Sequence, residues 1–345
     1  MQIRENISLR QYNTFGIDVR ARYFASFARI EEIEEWIERN SSVMRVILGG
    51  GSNLLFTRNI DGVVLKNEIM GIEEITEDEH DVYVRAGAGE NWHRFVQHCL
   101  TRNWAGLENL SLIPGNVGAA PMQNIGAYGV ELQEVFNSLS AYHIRERKIH
   151  HFTAGDCAFG YRESIFKKQY KNQFIILNVT FRLRKRPVFH TAYGAIREEL
   201  EKMQVKELSI QAISQAVINI RSSKLPDPSQ IGNAGSFFKN PEVSNKKFEM
   251  LKKQYPEIPH YPAKVYPNAT RVTTNEVKLA AGWLIEQCGW KGVRRGNAGV
   301  HAKQALVLVN YGNATGKEIY ELSEDVVRSV HKKFGVTLER EVNIL

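Results

Sequence analysis

The segment from residue 106 to residue 130 constrains the fold of this chain more than any other part of the sequence. It is rich in Gly, Pro, Asn and Ala, and it shows little hydrophobic periodicity. A long irregular stretch inside a compact domain is usually functional or disordered. Because this one is built of apolar and small residues, disorder is disfavoured. The sequence therefore predicts an ordered loop that serves a function.

Within this segment, residues 113–129 place Gln123 and Asn124 among a series of small residues. Packing alone does not require so many small side chains next to two amides. A flat ligand that lies against the backbone does require them, because glycine allows close approach. We therefore interpret residues 113–129 as a ligand-binding loop.

A second loop, residues 48–55, contains three consecutive glycines directly after a predicted strand. Consecutive N–H groups in such a turn can bind a pyrophosphate, although a tight structural turn explains the glycines equally well. The chain has no P-loop signature, which disfavours a P-loop nucleotide hydrolase. Residues 87–89 lack the third glycine of a dinucleotide fingerprint, so a Rossmann site is only weakly supported.

Length, net charge and cysteine content indicate the number of domains, the class of ligand and the cellular compartment. A length of 345 residues suggests two domains, or three, at roughly 150 residues each. The net charge of +7 suits dinucleotides and sugar nucleotides, and would equally suit nucleic acid, but no concentrated basic block is present. The three cysteines lie far apart, which points to a reducing compartment. Without a signal core or an apolar run that could cross a bilayer, we expect a soluble, cytoplasmic protein with no membrane partner.

Hydrophobic periodicity predicts helices and strands in both halves of the chain. Helices are predicted around Ile30–Ile37 and from Trp92 with Asn91 as N-cap, and then at about 209–221, at 275–288 before Gly289 and at 319–333 before Gly335. Strands are predicted at residues 46–48, 62–65, 82–84, 174–183, 305–309 and 336–344. The charged, proline-containing run at 182–187 is the best candidate for a domain boundary. The fold class is therefore predicted to be α+β.

Several separated motifs resemble those of the UDP-N-acetylenolpyruvoylglucosamine reductases, a family of vanillyl-alcohol-oxidase-type flavoproteins. The resemblance covers nearly the whole chain and rests on both glycine loops and on residues 13–16, 161–167, 221–226, 233–241 and 338–342. Separated motifs in the right order are far more specific than either loop alone. Ala119 departs from the pattern, because the family usually has a second glycine there after Gly118.

The resemblance implies a fold, a cofactor and a reaction. It implies a PCMH-type FAD-binding domain of two subdomains over residues 1–187, and an α+β substrate-binding domain over 188–345 whose last strand returns to the cleft. FAD would be bound noncovalently, since the flavin loops contain no histidine. NADPH would be the co-substrate for reducing UDP-N-acetylglucosamine enolpyruvate to UDP-N-acetylmuramate, a peptidoglycan precursor. Flavin N5 would give hydride to the vinyl carbon, and an enzyme acid would protonate the neighbouring carbon.

Three residues are implied to be catalytic: Ser236 as the proton donor, Arg162 as the clamp on the substrate carboxylate, and Glu341 as the group that orients Arg162 or stabilises the intermediate. Taken alone, Ser236 is a turn serine, Arg162 pairs with Glu163 at the surface, and Glu341 is solvated. Glu339 shares a strand face with Glu341, so geometry does not choose between them, and the resemblance favours Glu341.

The binding residues that the resemblance implies fall into two groups. Those for the cofactor are Gly49, Gly50, Gly51, Ser52, Asn53, Pro114, Gly115, Gly118, Gln123, Asn124, Gly126 and Ala127. Those for the sugar nucleotide are Tyr193, Lys224, Asn240 and Gln304. Tyr193 implies the subtype in which such a tyrosine closes over the substrate, although a packed aromatic is the ordinary alternative, as a solvated lysine is for Lys224.

The sequence is also compatible with two other functions. His150 and His151 are adjacent and lack supporting ligand motifs, so we predict no metal site. One rival is a flavoprotein oxidase of a small alcohol or sugar on the same scaffold. The other is a non-catalytic flavin or nucleotide binder, which would not need a proton donor. No nucleic-acid recognition motif is present, and we expect the protein to act as a monomer.

Overall fold

A computed structural model describes residues 1–39, 43–264, 266 and 276–345 of the chain. The strands, in chain order, are β1 (Arg4–Ser8), β2 (Arg20–Phe27), β3 (Arg45–Leu48), β4 (Leu54–Leu55), β5 (Ile60–Asn67), β6 (Ile72–Glu77), β7 (Asp81–Gly87), β8 (Gly126–Ala127), β9 (Val130–Glu131), β10 (Phe136–His143), β11 (Lys148–Thr153), β12 (Phe174–Arg184), β13 (Gly232–Ser236), β14 (Glu242–Ser244), β15 (His260–Pro262), β16 (Glu276–Leu279), β17 (Arg294–Arg295), β18 (Ala298–Val300), β19 (Val307–Asn310) and β20 (Asn343–Ile344).

The helices are α1 (Glu31–Arg39), α2 (Trp92–Thr101), α3 (Gly194–Lys202), α4 (Ile210–Lys224), α5 (Asn245–Gln254), α6 (Ala281–Gln287) and α7 (Gly316–Phe334). The predicted cap of α2 is confirmed, because the Asn91 side chain accepts a hydrogen bond from the backbone of Arg94. The predicted end of α7 is also confirmed, since Gly335 follows it in the left-handed conformation at φ 62°. The mixture of helices and strands confirms the α+β class.

The first sheet has the strand order β1-β2-β5-β3 and delivers the first glycine loop. Strands β2, β5 and β3 are parallel to one another, whereas β1 is antiparallel to β2. Val63, Val64 and Leu65 of β5 are all buried, as expected for a parallel strand covered on both faces. Because β3 ends at Leu48, the loop of residues 49–53 leaves from the carboxyl edge of this sheet.

The second sheet is antiparallel, in the order β11-β10-β12-β7-β6. Helix α2 covers one face, where Phe95 packs on Phe181 of β12 with ring centroids 4.7 Å apart. Tyr142 and Ile175 of this sheet are buried in one cluster with Phe27 of the first sheet and with Ile33 of α1. The two sheets and α1 therefore enclose a common core.

The C-terminal part contains two small antiparallel sheets, β13-β19-β18-β17 and β14-β16-β15. Its core is continuous with that of the first sheet. Phe237, fully buried, packs edge-on against Phe15 at 6.2 Å between ring centroids. The last strand, β20, pairs in parallel with β4, and Leu345 O accepts a hydrogen bond from Thr57 N at 2.7 Å. The end of the chain is thus attached directly after the first glycine loop.

Helices α3 and α4 pack on each other and on the second-sheet region. Ser214 of α4 lies in hydrogen-bonding range of Ser111 at 2.7 Å and of Gln97 at 3.2 Å. Arg221 Nε donates to Leu112 O at 3.2 Å. Through these contacts, α4 holds the first part of the segment 106–130 in place. The division of the chain after residue 187 stays a prediction.

The helix predicted over residues 275–288 is wrong in its first part and present in its second. Residues 276–279 form strand β16 between β14 and β15, and only Ala281–Gln287 is helical; residue 275 lies outside the described residues. The apolar spacing of these residues fits a helix as well as a strand. They form a strand because β14 and β15 both make backbone hydrogen bonds with them. The predicted glycine at the end of the helix is present, with Gly289 at φ 80°.

The extended C-terminal segment is less regular than predicted. Val336, Leu338 and Val342 are buried in alternation with exposed residues, but regular pairing is confined to β20 and to one bridge between Arg340 and Phe238. The segment changes partner after residue 341, since it pairs first with the residues after β13 and then with β4. The C-terminal segment therefore connects the residues after β13 to the residues after the first glycine loop.

Candidate active site

The two glycine-rich loops predicted from the sequence lie against each other. Ser52 Oγ donates a hydrogen bond to Pro114 O at 3.0 Å. A Cβ atom on Gly50 would lie 2.9 Å from Gly115 Cα and 2.7 Å from Asn116 Oδ1. Real Cβ atoms are not found that close to backbone, so position 50 requires glycine for the loops to meet.

The second loop is anchored on the turn that follows β7. Gly115 O accepts a hydrogen bond from Trp92 N at 3.0 Å, and Asn116 Nδ2 donates to Gly89 O at 2.7 Å. A Cβ atom on Gly118 would lie 2.5 Å from Ala88 Cβ. Ala88 and Gly89 therefore serve as the packing surface for this loop. The side chain of Ala119 is exposed, so the fold accommodates the departure at that position.

The amides Gln123 and Asn124 have different surroundings. Asn124 is fully buried in the left-handed region at φ 44°, and its Nδ2 donates to Gly160 O at 3.1 Å. Gln123 Oε1 accepts from Asn53 Nδ2 at 2.6 Å, while its Nε2 donates to Glu341 Oε1 at 3.1 Å. Asn124 therefore holds the turn, whereas Gln123 connects the first glycine loop to the C-terminal segment.

Arg162 and Glu341 form a half-buried pair. Arg162 lies in the left-handed region at φ 53°, and its guanidinium donates to Gly126 O. Its Nε lies 3.5 Å from Glu341 Oε1, and the two side chains are 17% and 15% exposed. The alternative pairing with Glu163 is not formed, because Glu163 pairs with Lys168 at 2.5 Å instead. A guanidinium that keeps other donors free suits a carboxylate ligand.

Glu341 lies among three cations. Burial raises the pKa of its carboxyl, while the nearby charges of Arg162, Lys167 and Lys239 oppose that shift. Glu339 is 66% exposed and pairs with Lys239 at 2.6 Å. The structure therefore places Glu341, and not Glu339, beside Arg162.

Ser236 ends β13, directly after Gly235 at φ 67°. The residues that follow run antiparallel to the C-terminal segment, because Glu341 N donates to Phe237 O at 2.9 Å. Ser236 is half-buried, and among the described residues none forms a hydrogen bond with its hydroxyl. The turn thus brings a free hydroxyl close to the segment that carries Glu341.

The four predicted substrate residues lie at three different places in the fold. Asn240 Oδ1 accepts from Ala281 N at 3.0 Å, and a Cβ atom on Gly282 would lie 3.2 Å from Gln304 Oε1, so both amides lie at the start of α6. Tyr193, 44% exposed, packs edge-on against Tyr128 at 5.4 Å between ring centroids. Lys224 is the exposed last residue of α4, and no described contact joins it to the other three.

The structure adds residues that the sequence reasoning did not select. Lys278, 7% exposed, places its Nζ 3.4 Å from the centroid of the Tyr161 ring and 3.6 Å from Glu242 Oε1. Burial raises the pKa of Tyr161 to about 12.

Lys167 is a second such residue. Its Nζ donates to Glu341 O at 3.4 Å, and the pKa of Lys167 is lowered by burial and by the charge of Lys239. Tyr161 and Lys167 belong to the motif at residues 161–167. Lys278 lies in a segment predicted to be helical, where a lysine is expected to be solvated, so the sequence does not point to it.

Comparison with known proteins first defines the class. Residues 23–144 match a family model described as an FAD binding domain. A solvent-stable cholesterol oxidase shares the fold, with a TM-score of 0.50 at 10% identity over 98% of this chain and 86% of that chain. The chain has the PCMH-type flavoprotein fold, and the predicted fold class is confirmed.

The family is shown by sequence over the full length. Residues 227–345 match the model of the UDP-N-acetylenolpyruvoylglucosamine reductase C-terminal domain. Proteins of that name from Flavobacterium johnsoniae and Amoebophilus asiaticus are 49% and 50% identical, with 100% of each chain covered. The enzyme of that name from Thermus caldophilus superposes with a TM-score of 0.66 at 25% identity, covering 99% of both chains. The chain belongs to the UDP-N-acetylenolpyruvoylglucosamine reductase family, which confirms the resemblance.

Two further observations concern the described residues alone. Across residues 1–39, 43–264, 266 and 276–345, no helix has the length and apolarity to cross a membrane. In the same part of the chain, no three His, Cys, Asp or Glu side chains are grouped as metal ligands would be.

Proposed function

We propose that this chain reduces UDP-N-acetylglucosamine enolpyruvate to UDP-N-acetylmuramate with electrons from NADPH, through FAD, in peptidoglycan synthesis. Family membership over the full length supports the reaction. The observation that carries the assignment of the site is the meeting of three segments. The turn of Arg162, the turn of Ser236 and the terminal segment of Glu341 converge beside the paired glycine loops.

The first glycine loop fits the pyrophosphate of FAD. Among the described residues, none accepts a hydrogen bond from the backbone N–H of Gly50, Gly51 or Ser52. Gly51 is buried, and unpaired buried N–H groups are rare in proteins, so this loop presents donors that a ligand would satisfy. Residues of the second loop would line the flavin, with Gly115 close to the Ser52 hydroxyl and Gly118 packed on Ala88. Bound FAD would supply the hydride from N5.

The proposed roles of the catalytic residues follow from their surroundings. Arg162 would bind the substrate carboxylate and remain charged as electron density grows there. Glu341 would hold the guanidinium in place through the 3.5 Å contact. Ser236 would give its proton to the carbon next to the one that takes the hydride, since its hydroxyl is not engaged elsewhere among the described residues.

The sugar nucleotide is proposed to lie between α6 and the loop before α3. Asn240 and Gln304 at the start of α6 would contact its polar groups. Tyr193, which is 44% exposed directly before α3, would leave its contact with Tyr128 and close over the sugar nucleotide. Lys224, exposed at the end of α4, would pair with a phosphate.

An anaerobic two-step absorbance experiment tests this function. The purified protein should be yellow, NADPH should bleach the flavin band, and the enolpyruvyl sugar nucleotide should restore it. Reoxidation by oxygen with turnover of an alcohol would support the oxidase instead. A bound flavin that NADPH does not reduce would support the non-catalytic binder. Cytoplasmic location and a monomeric state stay predictions from the sequence.

A further inference from the structure

Lys239 is a buried lysine for which the proposed chemistry has no role. It is only 5% exposed. Its Nζ lies 2.6 Å from Glu339 Oε1 and 3.5 Å from Glu163 Oε1. An ammonium group is costly to bury unless it is paired, so the fold must keep both carboxylates near it.

The two carboxylates belong to the two segments that carry the proposed catalytic pair. Glu163 directly follows Arg162, and Glu339 precedes Glu341 by two residues. The backbone of Lys239 contributes as well, because its N–H donates to Glu339 O at 2.9 Å. Lys239 itself follows Ser236 by three residues. Its side chain therefore lies where the three segments meet.

The turn of Arg162 needs such a support. Arg162 has a φ of 53°, a conformation that L-residues avoid, so the turn is held only if its surroundings stabilise it. Within the turn, Gly160 and Glu163 exchange backbone hydrogen bonds at 3.1 and 3.3 Å. These bonds close the turn but do not connect it to the C-terminal segment. Besides the contact between Arg162 and Glu341 themselves, Lys239 provides an ionic connection between the two segments.

We propose that Lys239 is a positioning residue, which holds the Arg162 turn and the Glu341 segment at the spacing that reduction of the enolpyruvyl substrate requires. The inference rests on the proposed function. It assigns Lys239 no contact with substrate, since its ammonium faces Glu163 and Glu339. Reduction of the flavin by NADPH does not need the substrate carboxylate clamp, so only the second half-reaction should depend on Lys239.

The test compares the two half-reactions in Lys239→Met by rapid-mixing absorbance at the flavin band. Methionine keeps much of the buried stem and removes the charge. Bleaching by NADPH should be unchanged, whereas reoxidation by UDP-N-acetylglucosamine enolpyruvate should slow by roughly tenfold to a hundredfold, the usual result of misplacing catalytic groups by about 1 Å. Lys239→Arg should recover most of the rate, because it restores a cation between the two carboxylates.

Arg340→Met is the matched control. Arg340 lies between Glu339 and Glu341, but its guanidinium bonds Ser323 Oγ at 2.8 Å and Glu324 of α7 at 2.5 Å, on the other side of the segment. Its loss should lower the melting temperature and leave the reoxidation rate unchanged. An equal slowing of reoxidation in Arg340→Met and Lys239→Met would overturn the inference, because any loosening of the segment would then suffice.

Glu163→Gln weakens the ionic contact between Lys239 and the Arg162 turn without changing a buried residue. It replaces Lys239→Met as the test if Lys239→Met does not fold. It should slow reoxidation selectively. Reoxidation at the wild-type rate in the folded variant would refute the positioning role, as would equal slowing of both half-reactions. Failure of the wild-type protein itself to be reoxidised by the enolpyruvyl sugar nucleotide would instead overturn the proposed function.

Discussion

Gln123 donates a hydrogen bond from Nε2 to Glu341 Oε1 at 3.1 Å, across 218 residues of sequence. Its Oε1 accepts from Asn53 Nδ2 at 2.6 Å. One amide thus connects the first glycine loop, the second glycine loop and the end of the chain. The group proposed to orient the substrate clamp and the loops proposed to hold the flavin are parts of one hydrogen-bonded unit.

Replacement of Ser236 by alanine should separate the two half-reactions. NADPH should reduce the flavin at nearly the normal rate, while reoxidation by the enolpyruvyl substrate should fall by roughly a hundredfold or more, because general acid catalysis contributes about that much. Anaerobic rapid mixing measures both rates. The exposed Ser229 offers a matched control, and Ser229→Ala should behave as wild type. Equal loss of both half-reactions in Ser236→Ala would contradict the proton-donor role.

Gly50→Ala should weaken FAD binding without unfolding the chain. The added methyl would meet Gly115 Cα at 2.9 Å and must push the two loops apart. Overpacking costs roughly 1–3 kcal/mol, or about tenfold to a hundredfold in affinity if the loops bind the cofactor. Titration of the apoprotein with FAD gives the dissociation constant. Gly155→Ala is the control, because its Cβ would have an ordinary contact at 3.7 Å; the same loss there would refute the explanation.

Glu341→Gln should raise stability and lower activity. Burial raises the pKa of Glu341 above that of an unfolded glutamate, so the folded state holds this proton more tightly. The stabilising contribution is present below the unfolded pKa and is lost as pH rises through the folded pKa. At neutral pH the ionised carboxylate is therefore a cost, which glutamine removes.

The melting temperatures of wild type and Glu341→Gln should differ most near neutral pH and converge in acid. Reoxidation of the variant should be slow at every pH, because a neutral amide holds the Arg162 guanidinium less firmly. In the wild type, reoxidation should fall off in acid at a pH above the usual range for glutamate. A Glu341→Gln variant that is less stable than wild type at neutral pH would show that the cations outweigh burial.

Phe237→Ala should destabilise the first sheet and the C-terminal part together. The ring is fully buried and packs on Phe15 in a core that both parts share. Removing a buried phenylalanine costs about 3–5 kcal/mol. Denaturant unfolding followed by fluorescence and by circular dichroism should give one shifted, coincident transition. Met250→Ala, at a site 60% exposed, should change little. Two separated transitions in Phe237→Ala would show that the parts unfold independently.

Local sequence predicted the elements whose signals are local. Asn91 caps α2 and Gly335 ends α7 as expected, because capping depends on residues within one turn. The helix predicted over residues 275–288 failed at its first part. Its apolar spacing suited both kinds of element, and strand pairing with β14 and β15 decided the outcome from outside the segment.

The glycine loops, the family and hence the chemistry were determined by the sequence itself, since short motifs in order encode backbone conformations that few residues allow. Only the tertiary structure decided which carboxylate faces Arg162. Glu339 and Glu341 have the same strand parity, but the bridge to Phe238 and the contact with Gln123 bring only Glu341 into the site. The same holds for Lys239, whose two acidic partners are 76 and 100 residues away in sequence. Pairing over such separations depends on the packing of whole segments, which no local pattern records.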